Sequence, residues 1–186
     1  MNSEFKDDYL RMTGTEYKPG IKSAVKLVFS HQIRYVALLR KAHKKMGLLT
    51  RLRLLRYSKK YGLEISPLAK IGRGLYLGHP YNITVAADVV LGDNVNLHKG
   101  CTIGRENRGK RLGCPTLGSC VSVGINATVI GKIQIGDDVM IAPNSFVNFD
   151  VPAHSVVIGN PGVIHHKDEA TKGYISFKVP GKDVLE

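Results

Sequence analysis

Aliphatic residues recur at every sixth position over much of the second half of the chain, and glycine follows many of them. A fixed period of six indicates a parallel β-helix, in which each unit forms a short strand and a turn. Amphipathic helices and ordinary β-sandwiches have other periods. The aliphatic side chains are predicted to point inward and to stack on their equivalents in the next coil. They are Ile65, Ile71, Leu77, Val85, Leu91, Leu97, Ile103, Leu117, Val123, Val129, Ile135, Ile141 and Val147.

The period fails at two places, each of which has two extra residues. The step from Leu77 to Val85 is eight residues, and the step from Ile103 to Leu117 is fourteen. An insertion in a solenoid cannot enter the packed interior, so it leaves the coil as a loop. The first loop is predicted to present His79. The second, within residues 105–116, carries four cations: Arg105, Arg108, Lys110 and Arg111.

The N-terminal part of the chain has helical spacing of its apolar residues instead. After Pro19 and Gly20 the apolar positions are Ile21, Val25, Val28, Phe29, Ile33, Val36 and Leu39, which predicts one amphipathic helix. Gly47 interrupts this pattern, and a shorter segment with Leu48, Leu52 and Leu55 follows. We therefore expect a basic helical region at 1–61, a β-helix at 62–167 and a C-terminal extension at 168–186.

The charge of +12 is concentrated in the helical region. Residues 1–60 have 15 Lys or Arg against 4 Asp or Glu, whereas residues 61–186 have 12 against 11. One interpretation is that the helices pack on the body and expose a solvated basic face. The other is peripheral contact with an anionic membrane, with Phe29, Leu38 and Leu39 inserting. No nucleic-acid-binding motif accompanies the charge, so no nucleic acid is expected as a partner.

Several classes of protein are disfavoured by what the sequence lacks. There is no apolar run of about 18 residues that would span a membrane. The acidic, polar N-terminus does not have the pattern of a secretion signal. The three cysteines have no paired spacing and the seven histidines show no ligand trio, so a reduced, cytoplasmic protein without a metal is expected.

Residues 62–167 resemble the serine acetyltransferase branch of the hexapeptide acyltransferases. The resemblance rests on "EISPLAKIGRGLYLGHPYNITVAADVVLGDNVNLHKGCTIG", residues 64–104, and on the closing "IGNPGVIHHK", residues 158–167. It implies a mostly β fold, a left-handed parallel β-helix, behind the basic helical region. It also implies acetyl-CoA as the acetyl donor, and a homotrimer with active sites between subunits.

In that family the histidine of the eight-residue step is the general base, which here is His79. Imidazole suits the role because its pKa lies near neutral pH. The family orients this histidine with an acid fifteen residues earlier, where this chain has Glu64. The alternatives are a structural histidine that caps a loop and a carboxylate that is merely solvated.

The resemblance also implies where the donor and the acceptor bind. The donor site falls on the last coils, with backbone amides at Ala142 and Gly159 beside the pantetheine arm. The predicted donor-binding residues are Lys132, Ala142, Asn144, Gly159, Pro161, His166 and Lys167. The predicted acceptor-binding residues are Asn82, His98, Arg108 and Arg111. The alternative is that the glycines and Asn144 only turn corners of the coil.

Two departures from the family pattern bear on the acceptor. Serine acetyltransferases have an aspartate directly before the catalytic histidine, where this chain has Gly78. In the second loop, an Asp-Arg-His-Pro run is replaced by Leu112 to Pro115. Because these missing groups would bind the charged ends of an amino acid, a different acceptor is predicted.

The predicted activity is acetyl-CoA-dependent O-acetyl transfer to a sugar hydroxyl of a cell-surface polysaccharide or its precursor. The alternative is a serine O-acetyltransferase of cysteine biosynthesis. A non-enzymatic β-helical binding module is a third interpretation, which leaves the projecting His79 unexplained.

Overall fold

A computed structural model describes residues 3–181 and contains four helices followed by short strands. The helices are α1 (Ser3–Thr13), α2 (Ile21–Phe29), α3 (His31–Lys44) and α4 (Leu48–Tyr61). The strands are β1 (Glu64–Ile65), β2 (Lys70–Ile71), β3 (Tyr76–Gly78), β4 (Thr84–Val85), β5 (Val90–Leu91), β6 (Asn96–His98), β7 (Thr102–Gly104), β8 (Thr116–Leu117), β9 (Ser122–Val123), β10 (Thr128–Ile130), β11 (Gln134–Ile135), β12 (Val139–Ile141), β13 (Phe146–Val147), β14 (Ser155–Ile158) and β15 (Val163–His166). None of the described helices is long and apolar enough to cross a membrane.

Successive strands enter three different sheets in turn, so that three strands make one coil. The first sheet has the order β1-β4-β7-β10-β13, the second β11-β8-β5-β2, and the third β15-β14-β12-β9-β6-β3. Every pairing between successive coils is parallel, and β15 alone among the described strands pairs in the antiparallel sense, with β14. The predicted parallel β-helix is confirmed.

The six-residue aliphatic pattern forms the core of this solenoid. Leu77 lies opposite Leu97, and Leu97 lies opposite Val123, in successive layers of the third sheet. All three side chains are fully buried. The two extra residues after Leu77 are taken up at a corner, and those after Ile103 form the loop between β7 and β8, as the interrupted period predicts.

Two of the three corners of the coil use a residue in the left-handed region of the Ramachandran map. Between the second and third sheets these residues have φ values from 53° to 70°: Gly74, Asn94, Cys120, Asp138 and His154. Between the third and first sheets they include Asn82, Gly100, Asn126 and Asn144. Asn144 is therefore one of the corner residues, as the alternative interpretation of this residue expects. Asparagine and glycine adopt this conformation at low energetic cost.

Helix α3 closes the open end of the first coil. Three of its side chains hydrogen-bond to the backbone of the three first-coil strands: Tyr35 Oη accepts from Ile65 N at 3.2 Å, Arg40 Nη1 donates to Ile71 O at 2.7 Å, and Gln32 Nε2 donates to Leu77 O at 2.5 Å. An uncovered strand edge would leave such groups open to pairing with other chains. The helical region therefore completes the solenoid as well as preceding it.

The helical region differs from its prediction in two respects. The single helix expected from Ile21 onward is divided at Ser30, whose extended backbone and side-chain bond from the Ile33 N–H cap α3. Helix α1 was not predicted, because its apolar pattern is short. It is held by a buried ion pair, in which both Asp8 oxygens accept from Arg40 at 2.7 and 2.9 Å.

Residues 167–181 return from the last coil toward the first along the corner between the second and third sheets. Asp138 accepts hydrogen bonds from the N–H groups of Ala170 and Thr171 at 2.9 and 3.0 Å. Two coils earlier, the Asn94 side chain both donates to Val179 O and accepts from Val179 N, at 2.9 and 2.8 Å. Part of the predicted extension, residues 182–186, lies outside the described residues.

Candidate active site

His79 stands at the corner where the chain leaves the third sheet for the first. Its backbone has φ 49°, and its carbonyl accepts a hydrogen bond from Tyr81 N at 2.8 Å. The tight turn directs the imidazole out of the coil, where the side chain is exposed. The structure therefore places this histidine on a projecting corner, in the position that the eight-residue step predicts.

His98 lies one coil later, directly over the residue before His79. Gly78 and His98 are partners in the parallel ladder, and a Cβ on Gly78 would lie 2.3 Å from Nδ1 of His98. Glycine is therefore the residue that leaves space for this imidazole. Burial lowers the pKa of His98, and the neighbouring His79 lowers it further. A neutral imidazole thus occupies the space beside the candidate base.

The N-terminus of α3 supports the His79 corner from below. Nε2 of the His31 ring is buried and has no hydrogen-bond partner among the described residues. The His31 ring stacks on Tyr61, with centroids 4.6 Å apart, and contacts Tyr81 at 5.4 Å. Burial lowers the pKa of His31, followed by the effect of Arg34, so the ring is neutral near neutral pH. No sequence motif marks His31 for this position, and the sequence analysis did not find it.

Glu64, the predicted orienting acid, contacts the helical region. Its carboxylate accepts a hydrogen bond from Ser58 Oγ at 2.9 Å, and its backbone pairs with Thr84 of the next coil. Within residues 3–181, no hydrogen bond joins Glu64 to His79. Its role in orienting the base stays a prediction.

The predicted donor residues divide between different edges of the solenoid. Ala142, Asn144, Gly159 and Pro161 lie at the corner between the third and first sheets, in line with His79. The backbone N–H groups expected to face the donor are already bonded, that of Ala142 to Val157 O at 2.8 Å and that of Gly159 to Ser145 Oγ at 3.0 Å. Both N–H groups thus have acceptors within this chain, Val157 O and the Ser145 side chain, and their contact with pantetheine stays a prediction.

The predicted cationic donor residues lie elsewhere. Lys132 follows the first sheet, and its N–H donates to Arg111 O at 2.9 Å. His166 belongs to β15 and lies 3.5 Å from Asp168, and the Lys167 N–H donates to His154 O at 2.8 Å. The structure does not bring these three side chains to the His79 corner within one chain.

The loop between β7 and β8 is a small hairpin. Glu106 and Gly113 exchange two backbone hydrogen bonds, at 2.9 and 3.0 Å. Together with Lys110, Ile130 and Asn148, the side chains of Glu106, Arg108 and Arg111 line a cavity of about 390 Å³. This loop lies at the corner between the first and second sheets. The predicted acceptor residues thus form two groups, with Asn82 and His98 beside His79, and Arg108 and Arg111 on another edge.

Known proteins resemble the chain in sequence over somewhat more than half of its length. It is 40% identical over 107 residues to a serine acetyltransferase of Helicobacter pylori, which covers 58% of this chain and 63% of that protein. The chain thus spans less than two thirds of the length of that relative, and about half that of a Staphylococcus aureus serine acetyltransferase that is 39% identical. No protein-family model matches the chain.

Solved structures of serine acetyltransferases share the fold. The Neisseria gonorrhoeae serine acetyltransferase in complex with serine has a TM-score of 0.69 and 29% identity, and the match covers 87% of this chain and 66% of that one. A serine acetyltransferase in complex with CoA has a TM-score of 0.66 and 25% identity, over 76% and 60% of the two chains. The chain is thus similar in sequence and in fold to serine acetyltransferases, which form a branch of the left-handed β-helical hexapeptide acyltransferases.

Proposed function

We propose that this chain transfers an acetyl group from acetyl-CoA to a hydroxyl oxygen, with His79 as the general base. The observation that carries the proposal is the exposed imidazole of His79, at the same place as the catalytic histidine that the family resemblance implies. His79 accepts the hydroxyl proton while the oxygen attacks the thioester carbon. A C–O bond forms, the C–S bond breaks, and the proton passes from His79 to the departing CoA sulfur.

Serine is the first acceptor that we propose. The relatives quoted above are named serine acetyltransferases, and one of the solved structures contains serine. These similarities favour the serine alternative over the polysaccharide acceptor that the sequence analysis put first. In this function, acetyl transfer from acetyl-CoA to the serine side chain produces O-acetylserine.

A sugar hydroxyl is the second candidate, and a specific contact favours it. Where the family pattern has an aspartate, Gly78 lies against the ring of His98. A neutral imidazole supplies no counter-charge for the ammonium group of an amino acid. The second loop has an apolar Leu112 and an uncharged Cys114 where the family has ionic groups. An acceptor without an ammonium group fits these residues better.

We also propose a homotrimer, which would unite the two groups of acceptor residues. Arg108 and Arg111 lie on a different edge of the solenoid from His79, so a neighbouring copy is needed to bring them to the base. A light-scattering mass of one chain at micromolar concentration would contradict this assembly. Mixing a His79→Ala chain with an Arg111→Ala chain should restore part of the activity if the site is shared.

A thiol-release assay tests the reaction and its acceptor together. The full chain is supplied with acetyl-CoA and one acceptor at a time: serine, a nucleotide sugar or an oligosaccharide. The acetylated product is identified by mass spectrometry. Acceptor-dependent release of CoA with serine supports the first candidate, and release with a sugar alone supports the second. Release of CoA that no acceptor accelerates would contradict the proposed function.

A further inference from the structure

Helices α2 and α4 expose apolar side chains that the fold does not use. On α2, Ile21 is 85% exposed and Phe29 is 82% exposed. On α4, Leu48 is 75% exposed and Leu49 is 60% exposed. The same exposed set includes Val25, Val28, Leu52 and Leu55. We call these eight residues and the cations around them the basic outer face.

Helix α4 has two apolar sides, and only one of them packs on the protein. Leu54, Tyr57 and Tyr61 pack against the core, and Thr50 is buried beside them. Leu48, Leu52 and Leu55 follow the i, i+4, i+7 spacing of a second stripe. This stripe is at least 50% exposed and borders a cavity of about 970 Å³ that Leu63, Ile65 and Leu68 also line.

Arg34 of α3 connects the two helices. It donates a hydrogen bond to Tyr57 Oη of α4 at 3.3 Å and another to the Val28 carbonyl of α2. Side chains from α2, α3 and α4 line one cavity of about 610 Å³, among them Leu27, Leu38 and Arg53. Helices α2 and α4 thus both contact α3 around this cavity.

The charge of this part of the chain has a single sign. Residues 17–63 contain 13 Lys or Arg and no Asp or Glu. Arg40 is held in a buried ion pair with Asp8 of α1. The cations of α4 are exposed among and beside the leucines: Arg51, Arg53, Arg56, Lys59 and Lys60.

We propose that the basic outer face binds the surface of a bilayer that contains anionic lipids. Exposed lysine and arginine side chains meet the headgroup phosphates, and the leucines and Phe29 enter the boundary between headgroups and acyl chains. A purely solvated face would account for the charges but would leave the leucine stripe in water. Two copies that met through this face would oppose like charges, which disfavours self-association there.

The structure also revises which residues can insert. Leu38 and Leu39, expected to insert on the sequence pattern, are 9% and 0% exposed because they lie on the packed side of α3. Phe29 remains exposed, and the leucines of α4 take the place of the other two. The expectation for Leu38 and Leu39 was therefore wrong.

Co-sedimentation of the full chain with vesicles tests the proposal without reference to acetyl transfer. Vesicles of phosphatidylglycerol and phosphatidylcholine in equal amounts are compared with vesicles of phosphatidylcholine alone, at low and high salt. The chain should pellet with the anionic vesicles at low salt and dissociate at high salt, because salt screens the charges. Binding should be weak to phosphatidylcholine alone.

Two sets of variants separate the charges from the leucines. Arg53→Gln/Arg56→Gln/Lys59→Gln should weaken the vesicle partition coefficient on the order of 100-fold, since each basic residue near an anionic surface contributes about fivefold. Its control is Lys99→Gln/Lys110→Gln/Lys172→Gln outside the helical region, which has the same net charge. Leu48→Gln/Leu52→Gln/Leu55→Gln should weaken binding at least tenfold, against Leu112→Gln/Ile125→Gln/Ile158→Gln as its control.

Failure of the full chain to pellet with anionic vesicles at low salt would overturn the proposal. Equal loss of binding in the outer-face variants and their controls would also overturn it, because binding would then follow net charge or overall hydrophobicity. If the chain does not bind vesicles, two further results would identify another role for this face. One is binding of homopolymeric RNA that requires Arg53, Arg56 and Lys59. The other is self-association that requires the α4 leucines.

Discussion

Gly78 lies so close to the His98 ring of the next coil that a Cβ at position 78 would approach Nδ1 to 2.3 Å. Position 78, directly before the candidate base, and the imidazole of His98 above it are therefore coupled. A side chain at position 78 fits only if the His98 ring moves or is removed. This contact explains how the site accommodates the missing aspartate of the family pattern. It also makes the acceptor preference accessible to experiment.

Gly78→Asp should lower stability, because the new side chain overlaps a half-buried ring. Overpacking of this kind costs about 1–3 kcal/mol, which thermal or denaturant unfolding would measure. The double variant Gly78→Asp/His98→Gly removes the overlap and should recover most of the loss. If the native site lacks a partner for an ammonium group, the new carboxylate supplies one. The double variant should then also accelerate serine acetylation relative to sugar acetylation. A single variant as stable as the native chain would show that His98 does not occupy this space.

His79→Ala should reduce kcat by about 10²- to 10⁴-fold, the range for loss of a general base, while acetyl-CoA still binds. His165→Ala is the matched control, because that histidine is exposed on β15 and away from the corner. Steady-state kinetics and acetyl-CoA titration give the two quantities. A His79→Ala variant with half the native rate would contradict the assignment. Glu64→Gln should cost less, since it leaves the base in place.

His31→Ala should lower kcat with little change in the affinity for acetyl-CoA. The variant loses the ring that stacks on Tyr61 and contacts Tyr81, so the His79 corner is less firmly held. A loss on the order of tenfold is expected when a catalytic group is less well positioned. His43→Ala on the same helix is the control, because His43 is also partly buried. Equal losses of kcat in both variants would indicate a general effect on the helix.

Asp138→Asn should destabilise the chain near neutral pH but not in strong acid. Burial opposes ionisation of Asp138, but bonds from Thr171, His154 and Ala170 outweigh it and lower its pKa from 3.8 to about 2. The ionised group therefore contributes stability that is fully present above 3.8 and is lost as the pH falls through about 2. Loss of hydrogen bonds to a charged group costs about 1.5–3 kcal/mol.

Denaturant titrations of the native and Asp138→Asn chains at several pH values would check this. The difference in unfolding free energy should be largest near neutral pH and should shrink toward pH 2. A difference that is constant over this range would mean that the charge of Asp138 is not what holds residues 170–171.

The sequence by itself determined the solenoid and its two projecting loops. The six-residue period sets which side chains face inward, so Leu77, Leu97 and Val123 stack wherever the coil repeats. An insertion has to leave such a coil, which is why the sequence could place His79 on a projecting corner. These properties are local, because each unit needs only its own pattern and its neighbours in the next coil.

Only the tertiary structure decided what surrounds His79 and what the helices leave exposed. The contact of Gln32 with Leu77 joins residues 45 positions apart, and that of Arg40 with Asp8 joins residues 32 apart. No period in the sequence encodes which helix crosses the first coil. The apolar pattern of α3 and the leucines of α4 looked alike in the sequence, yet Leu39 is buried and Leu48 is exposed. The difference arises because α3 packs on the strand edges at the open end of the solenoid, whereas Leu48 is 75% exposed on α4.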